Sequence, residues 1–310
     1  MRGHRGVTLV ESMVAISIIG VMTALLLPAV QASRESARRG QCRSQLHQLG
    51  VALHAFHNRK GAFPPGYRTQ VDPDTRDDLG PGWSWTSYLL PDIEQDAVAR
   101  QIDMRQPVEA AANATICNMS IAVLVCPSDG TFETNVDVPD YDTGQTICRL
   151  ATSSYVASVG SVRQTCKLCR DRFDGVFGRN SRVNIAMIKD GTSETMAVGE
   201  RCHRISRPVW PGVVAHGLIV DLLKQGKVAG GPAYVLGTTF LHGKQEDLEE
   251  RSVDSVAEIF ASDHPDVMNF LFCDGSVRSI SVMIDDDAYK ALSTRGSQIP
   301  AEGIIHESPF

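Results

Sequence analysis

Glu11 is the only charged side chain between Val7 and Ser33, in a stretch that reads VTLVESMVAISIIGVMTALLLPAVQAS. From Met13 to Val30 the chain runs 18 residues without a charge, with only Ser17 and Thr23 mildly polar. A helix of roughly 20 largely apolar residues crosses a bilayer. A carboxylate inside such a segment costs free energy and marks function, and a partner charge removes the penalty. Arg2 and Arg5 precede the segment, which predicts a cytoplasmic N-terminus and an exported bulk. A secretory signal peptide has a shorter apolar core, about 7–15 residues, and a small-x-small cleavage site. A plain membrane anchor explains the length of the segment but not its acid.

Other residues of chemical interest lie further along. His264 is followed, after nine residues, by Asp274-Gly275. Eight cysteines, at 42, 117, 126, 148, 166, 169, 202 and 273, form an even set that suits an oxidising compartment, though irregular spacing hides their pairing. Cys166-Lys-Leu-Cys169 has metal-ligand spacing, but no second such pair completes four ligands, so disulfide or free thiol is the expectation. His47, His54 and His57 share one helical region and read as surface or boundary residues. The acidic stretches 71–78 and 137–142 offer oxygens for calcium. Neither follows an EF-hand pattern, so solvated loops are expected, with calcium as the open alternative and no other cofactor implied. Trp83 and Trp85 read as core caps, with a binding face for sugar or peptide as the alternative. No G-x-S-x-G, H-E-x-x-H, phosphate-binding or dinucleotide glycine motif occurs. His264 and Asp274 could join a Ser, but nothing orders such a triad, and no enzyme is expected. A net charge of −6 gives no basic field for nucleic acid.

The elements that must position these groups are legible in outline. Cys42, Leu46, Leu49, Leu53 and Phe56 recur at steps of 4, 3, 4 and 3, one apolar stripe of a helix. The membrane helix therefore continues to about His57 and packs its second half against a head. A helix over 7–57 is about 75 Å long, and Gly61, Pro64, Pro65 and Gly66 end it. In the head, strands are expected at 121–126, 155–159, 183–188, 196–198, 213–220, 267–273 and 277–284, and helices at 91–102, 107–117 and 285–293, the last capped by Asp285. Met268, Phe270 and Phe272 share one strand face, and Asp274-Gly275 makes a tight hairpin turn. The sum is an α+β fold, mainly antiparallel, with extra loops and short helices.

Two resemblances sharpen this outline. Gly6-Val7-Thr8-Leu9-Val10-Glu11 resembles the processing motif of type IV pilins and type II secretion pseudopilins, and Pro28 lies where pilins also carry a helix proline. The resemblance implies cleavage after Gly6 by a prepilin peptidase. It further implies methylation of the Val7 amine by an N-methyltransferase, and pairing of Glu11 with the amine of a neighbouring subunit. The remainder resembles the H-X9-DG proteins, a bacterial family of unknown function with a prepilin-type N-terminus. The blocks that carry this likeness include Gln41-Cys42-Arg43, Leu49-Gly50-Val51-Ala52-Leu53-His54, Phe63-Pro64-Pro65-Gly66, Cys126-Pro127-Ser128-Asp129, Gly199-Glu200-Arg201 and His264 with Asp274-Gly275. Asp266-Val267 stands where relatives tend to carry Gly-Gly.

The implied organisation is a leader at 1–6, a transmembrane and assembly helix at 7–33, its continuation at 34–58 and an exported head at 59–310. The implied protein is pilin-like, single-pass in the inner membrane, with its head in the periplasm or at the cell surface. It would self-associate through the helix as a subunit of a secretion or pilus-like apparatus. The alternatives are a tethered binding module that does not polymerise and, last, an exported enzyme.

Overall fold

Helix α1 runs from Leu9 to Lys60, 52 residues and about 78 Å. The computed structural model describes residues 9–164, 170–222, 226–229, 231–240 and 256–296. Every residue of α1 from Leu9 to Arg34 is exposed. Within this half, Ser17 and Thr23 donate their hydroxyls to the carbonyls of Met13 (2.8 Å) and Ile19 (2.7 Å), so neither needs water. Pro28 sits inside the helix. In the second half the expected stripe is buried, with Cys42, Leu46, Leu49 and Leu53 in the core and Phe56 packed at its edge. The helix runs three residues past the expected end. Gly61, at φ +72°, then donates its N–H to His57 O at 2.7 Å, as a left-handed helix stop does.

The strands are β1 (Tyr67–Val71), β2 (Asp78–Ser84), β3 (Asn135–Pro139), β4 (Thr146–Ala151), β5 (Tyr155–Gly160), β6 (Met196–Glu200), β7 (Leu218–Asp221), β8 (Gly226–Ala229), β9 (Leu236–Thr238), β10 (Val267–Phe272) and β11 (Val277–Ser281). Five form the main sheet in the order β11-β10-β6-β5-β9. Its pairs are antiparallel except β5 with β9. The others form the two-stranded ribbons β1-β2, β3-β4 and β7-β8. The architecture is the expected α+β one, a long helix laid on a mainly antiparallel head.

Alternation along β10 divides the core. Leu271 joins the α1 stripe, Tyr155 and the three buried tryptophans, Trp83, Trp85 and Trp210. Met268, Phe270 and Phe272 face the other way, onto Val156, Met196, Phe260 and Tyr289. Tyr289 comes from the last helix, Asp286–Ala291, whose cap Asp285 accepts from the N–H groups of Asp287 and Ala288 at 3.0 and 3.1 Å.

Several expected elements are shorter or absent. The run 121–126 is a single turn, Ala122–Leu124, and 183–188 holds one turn at Ile185–Met187. In the second, Asn184 accepts the Met187 N–H at 3.1 Å, a local bond that competes with a strand ladder. The strand expected over 213–220 starts only at Leu218. The helix expected at 91–102 breaks at Glu94, which adopts φ +61° between the turns Leu90–Ile93 and Asp96–Ala99. The one at 107–117 reduces to Ala111–Asn113 and Ala114–Cys117. In each case apolar side chains are buried by tertiary packing without a regular backbone ladder.

Candidate functional site

The seam between α1 and the head gathers the chemistry. Glu35 and Cys42 are seven residues apart on α1, two turns and therefore one face. Facing them are Cys126, in the loop after the Ala122–Leu124 turn, Glu200 at the end of β6, and His264 in the loop that enters β10. Cys42 and Cys126 are joined by a disulfide with Cα atoms 5.3 Å apart. His264 Nδ1 lies 2.6 Å from Glu35 Oε1. Its Nε2 lies 3.4 Å from Glu200 Oε1 and 3.6 Å from Cys126 Sγ. Ser262 Oγ accepts the His264 N–H at 3.1 Å and fixes the loop.

The two carboxylates are held independently of the imidazole. Arg38 Nη2 donates to Glu35 Oε2 at 2.6 Å, and Ser128 Oγ donates to the same group at 3.2 Å. Asn269 donates to both oxygens of Glu200, from its backbone N–H (2.8 Å) and its amide (2.9 Å). Burial alone would depress the His264 pKa, but hydrogen bonds and charge from Glu200 and Glu35 outweigh it and hold the imidazole above its ordinary value. Burial also works against ionised Glu35, and the hydrogen bonds from His264 and Arg38 overcome it, so this carboxyl sits below its usual range. The result is an imidazole clamped between carboxylates that favour its charged form, and in that form each bond is charge-assisted.

The other end of the signature grips the same helix. Gly275, at φ +88°, makes the turn between β10 and β11. A methyl placed on Gly50 of α1 would come within 2.8 Å of Leu271 Cδ1 and 3.4 Å of Gly275 Cα. The absent side chain at Gly50 lets the helix sit against Leu271 and the turn without displacing the leucine tip. Asp274 caps its own turn by accepting the Ser276 N–H at 2.8 Å. The structure thus gives His264 the partners Glu35, Glu200 and Cys126, and turns Asp274 to local work. His264 and Asp274-Gly275 are two grips on one helix.

The other expected site residues are dispersed. Gly6 and Val7 lie outside the described residues, as do Cys166 and Cys169. Glu11 and Pro28 lie on the exposed half of α1. Asp72 and Asp140 each accept backbone N–H bonds within their own turns. Asp78 departs from the expected solvated loop. It is buried, accepts from Tyr67 Oη at 3.3 Å and pairs with Arg170 (2.6 Å) and Arg179 (3.2 Å). His203, buried, accepts from the Glu133 N–H at its Nδ1 (3.1 Å), leaving Nε2 to face Ser153 O at 3.2 Å. Burial lowers its pKa, and it serves as a neutral packing group. Arg201, also buried, donates to the carbonyls of Ile259, Ala233 and Leu236. At the far end of α1, a cavity of about 460 Å³ is lined by Phe56, Phe63 and Tyr88 together with Lys60, Arg68 and Arg182.

Sequence reasoning missed Glu35, the role of Glu200 and the Cys42–Cys126 pairing. Cys42, Cys126 and Glu200 all sit in the blocks that carry the family resemblance, which is the signal that could have joined them. Glu35 had no such signal beyond its position two turns before Cys42.

The family model described as "Protein of unknown function (DUF1559)" matches residues 31–287, from within α1 into the helix Asp286–Ala291. The chain belongs to the DUF1559 family. A second model, the prokaryotic N-terminal methylation motif, matches residues 1–27. This DUF1559 protein therefore carries a prepilin-type signal, processed by prepilin peptidase, on a helix long and apolar enough to cross a membrane. No curated protein and no solved structure matches the chain. Within the DUF1559 match fall all the residues of the seam: Glu35, Cys42, Cys126, Glu200 and His264.

Proposed function

We propose that this DUF1559 protein is a pseudopilin-like structural subunit, anchored in the inner membrane and assembled through its N-terminal helix. The exposed half of α1 carries the reading. From Leu9 to Val30 it presents a long, exposed, largely apolar surface. A surface of that size requires lipid or partner helices. Cleavage after Gly6 leaves Val7 as a methylated N-terminus, and Glu11, four residues on, sets the register between neighbouring helices. The head faces the periplasm or cell surface and is held on the helix by the clamp and the disulfide. The carried residues act by position and charge, and no reaction is assigned to them. Mass spectrometry of protein extracted from its own membrane tests the first step. The expected chain begins at Val7 with one added methyl, and a chain that still begins at Met1 overturns the reading.

The cavity at the end of α1 favours a second reading. Three cations and three aromatic rings suit an anionic ligand with an apolar body, as expected for a tethered binding module that does not polymerise. That reading predicts no helix-to-helix cross-links in the membrane, and ligand capture that is lost in an Arg68→Ala, Arg182→Ala double variant.

A further inference from the structure

We propose that Cys42, Cys126, Glu200 and His264 form a redox-gated zinc site. Oxidised, the two sulfurs form the disulfide; reduced, they bind one Zn²⁺ together with the imidazole and the carboxylate.

The four residues offer ligand atoms that all lie within 4.8 Å of one another, and all four are buried. A tetrahedral zinc ion with bonds of about 2.3 Å to sulfur and about 2.0 Å to nitrogen or oxygen needs ligand atoms spaced roughly 3.3–3.8 Å apart. His264 Nε2 already stands 3.6 Å from Cys126 Sγ and 3.4 Å from Glu200 Oε1. The sulfurs must part, and breaking their bond permits it. Two thiolates, one imidazole and one carboxylate are a ligand set suited to Zn²⁺, whereas calcium and magnesium take oxygens.

The surroundings supply what zinc ligands need around them. A metal-bound histidine donates its other N–H to a carboxylate, which fixes the tautomer and the ring plane. Glu35 stands 2.6 Å from Nδ1 and would keep the N–H there once Nε2 gives up its proton for the metal. Asn269 orients Glu200 through both oxygens, Oε2 from its backbone N–H at 2.8 Å and Oε1 from its amide at 2.9 Å, and Oε1 keeps a second lone pair for the metal. Ser279 Oγ in turn donates to Asn269 Oδ1 at 2.7 Å.

The chemistry balances with a dithiol reductant. The disulfide takes two electrons and two protons from the dithiol, which becomes a cyclic disulfide, and gives two thiols. Zn²⁺ then replaces the two thiol protons and the Nε2 proton of the imidazolium, which leave to solvent, and forms two Zn–S bonds and one Zn–N bond. The consequence is structural. Cys42 lies on α1 and Cys126 on the head, so either state ties the helix to the head. A chain that meets reducing conditions keeps its tie by exchanging a covalent bridge for a metal one.

The test uses the full-length chain in detergent, stripped of metal with a chelator, in oxidised and dithiol-reduced forms. A Cys42→Ser, Cys126→Ser variant under the same reductant sets the background from the other cysteines. Zinc content, near-ultraviolet circular dichroism and the thiolate-to-metal absorption of a Co²⁺-loaded sample are measured together. The expected result is one Zn²⁺ per chain above background in the reduced form and none in the oxidised form, with tetrahedral thiolate–cobalt bands. His264→Ala and Glu200→Gln should weaken binding, and Glu35→Gln should weaken it about 10–100-fold. If the reduced apo chain loses its tertiary signal, Zn²⁺ should restore it. A reduced chain that takes up no more zinc than the double-serine variant, folded or not, overturns the proposal.

Discussion

His264 and Glu35 are 229 residues apart in sequence and 2.6 Å apart in space. Nine residues after His264, the Asp274-Gly275 turn meets α1 again, beside Gly50 and His54. The stretch from His264 to Gly275 is in this sense a measured span: a loop, strand β10 and a turn whose two ends hold one helix. The first expectation concerns the histidine end. Glu35 is one-fifth exposed, so solvent screens part of the interaction, and a charge-assisted hydrogen bond of this kind contributes about 1–2 kcal/mol. His264→Ala should cost more, since it also leaves Glu200 buried without the imidazole. A double-mutant cycle of Glu35→Gln with His264→Ala, read by chemical denaturation, should give a coupling near 1 kcal/mol. Strictly additive effects would show that the two side chains are near each other without holding the helix.

The glycine end predicts a different failure. Gly50→Ala should destabilise the head by about 1–3 kcal/mol, because the added methyl meets Leu271 and the Gly275 backbone in a packed core. Gly275→Ala should cost about 1–2 kcal/mol through its left-handed backbone. Thermal unfolding of the two variants checks both numbers. A Gly50→Ala protein as stable as the parent would mean that the helix can lift off the turn at no cost.

Removing the staple is the simplest perturbation. The Cys42–Cys126 bond closes a loop of 84 residues, and disulfides over loops of that order stabilise by about 2–5 kcal/mol. A Cys42→Ser, Cys126→Ser protein, compared with the oxidised parent, should show that loss with little change in its head secondary structure by far-ultraviolet circular dichroism. An equal midpoint in denaturant would show that the bridge constrains nothing.

Much of this architecture could be read from the residues alone, and the limits have physical causes. The α1 stripe was legible because it repeats over several turns, and β10 was legible because alternation and a Gly turn mark it. The short apolar runs at 121–126 and 183–188 carried the same composition as strands. Their backbones are satisfied by local turns and by distant partners, which no local pattern records. The clamp was half visible: His264 stood out beside the Asp274-Gly275 turn, but Glu35 and Glu200 reach it from 229 and 64 residues away in sequence. A carboxylate on a basic helix surface looks like any solvated acid until the fold places a histidine against it.

The clamp titrates, and its direction follows from the two shifts. His264 is held above its usual value of 6.5, so its contribution is complete below that pH and is lost as pH rises through the raised pKa. Glu35 is held below 4.5, so its contribution is present above that pH and is lost as pH falls through the lowered pKa. In the oxidised, metal-free chain the clamp is therefore fullest between about 4.5 and 6.5. Raising the pH from about 6 toward 9 should lower the Tm of the parent more than that of His264→Ala. Equal slopes in the two proteins would mean that another group governs the alkaline limb.

The last prediction concerns the acid in the apolar segment. If cleavage frees the Val7 amine, Glu11 follows it by four residues, about 6 Å along a helix. A subunit displaced along the bundle axis by a comparable rise can set its own amine against the Glu11 of its neighbour. In hydrocarbon that pairing favours one register over all others, because any register that separates the charges leaves both desolvated without compensation. Removing one member of a buried pair costs about 3–5 kcal/mol, and Gln, which can still accept a hydrogen bond, should recover part of it. A photo-crosslinker placed at Ile16, on the exposed half of α1, should therefore give ladders of two or more subunits in native membranes. Glu11→Ala should reduce them by an order of magnitude or more, and Glu11→Gln by less. Ladders of unchanged intensity in Glu11→Ala would remove the acid from assembly. The absence of ladders in the parent would leave a tethered head whose exposed helix serves the lipid alone.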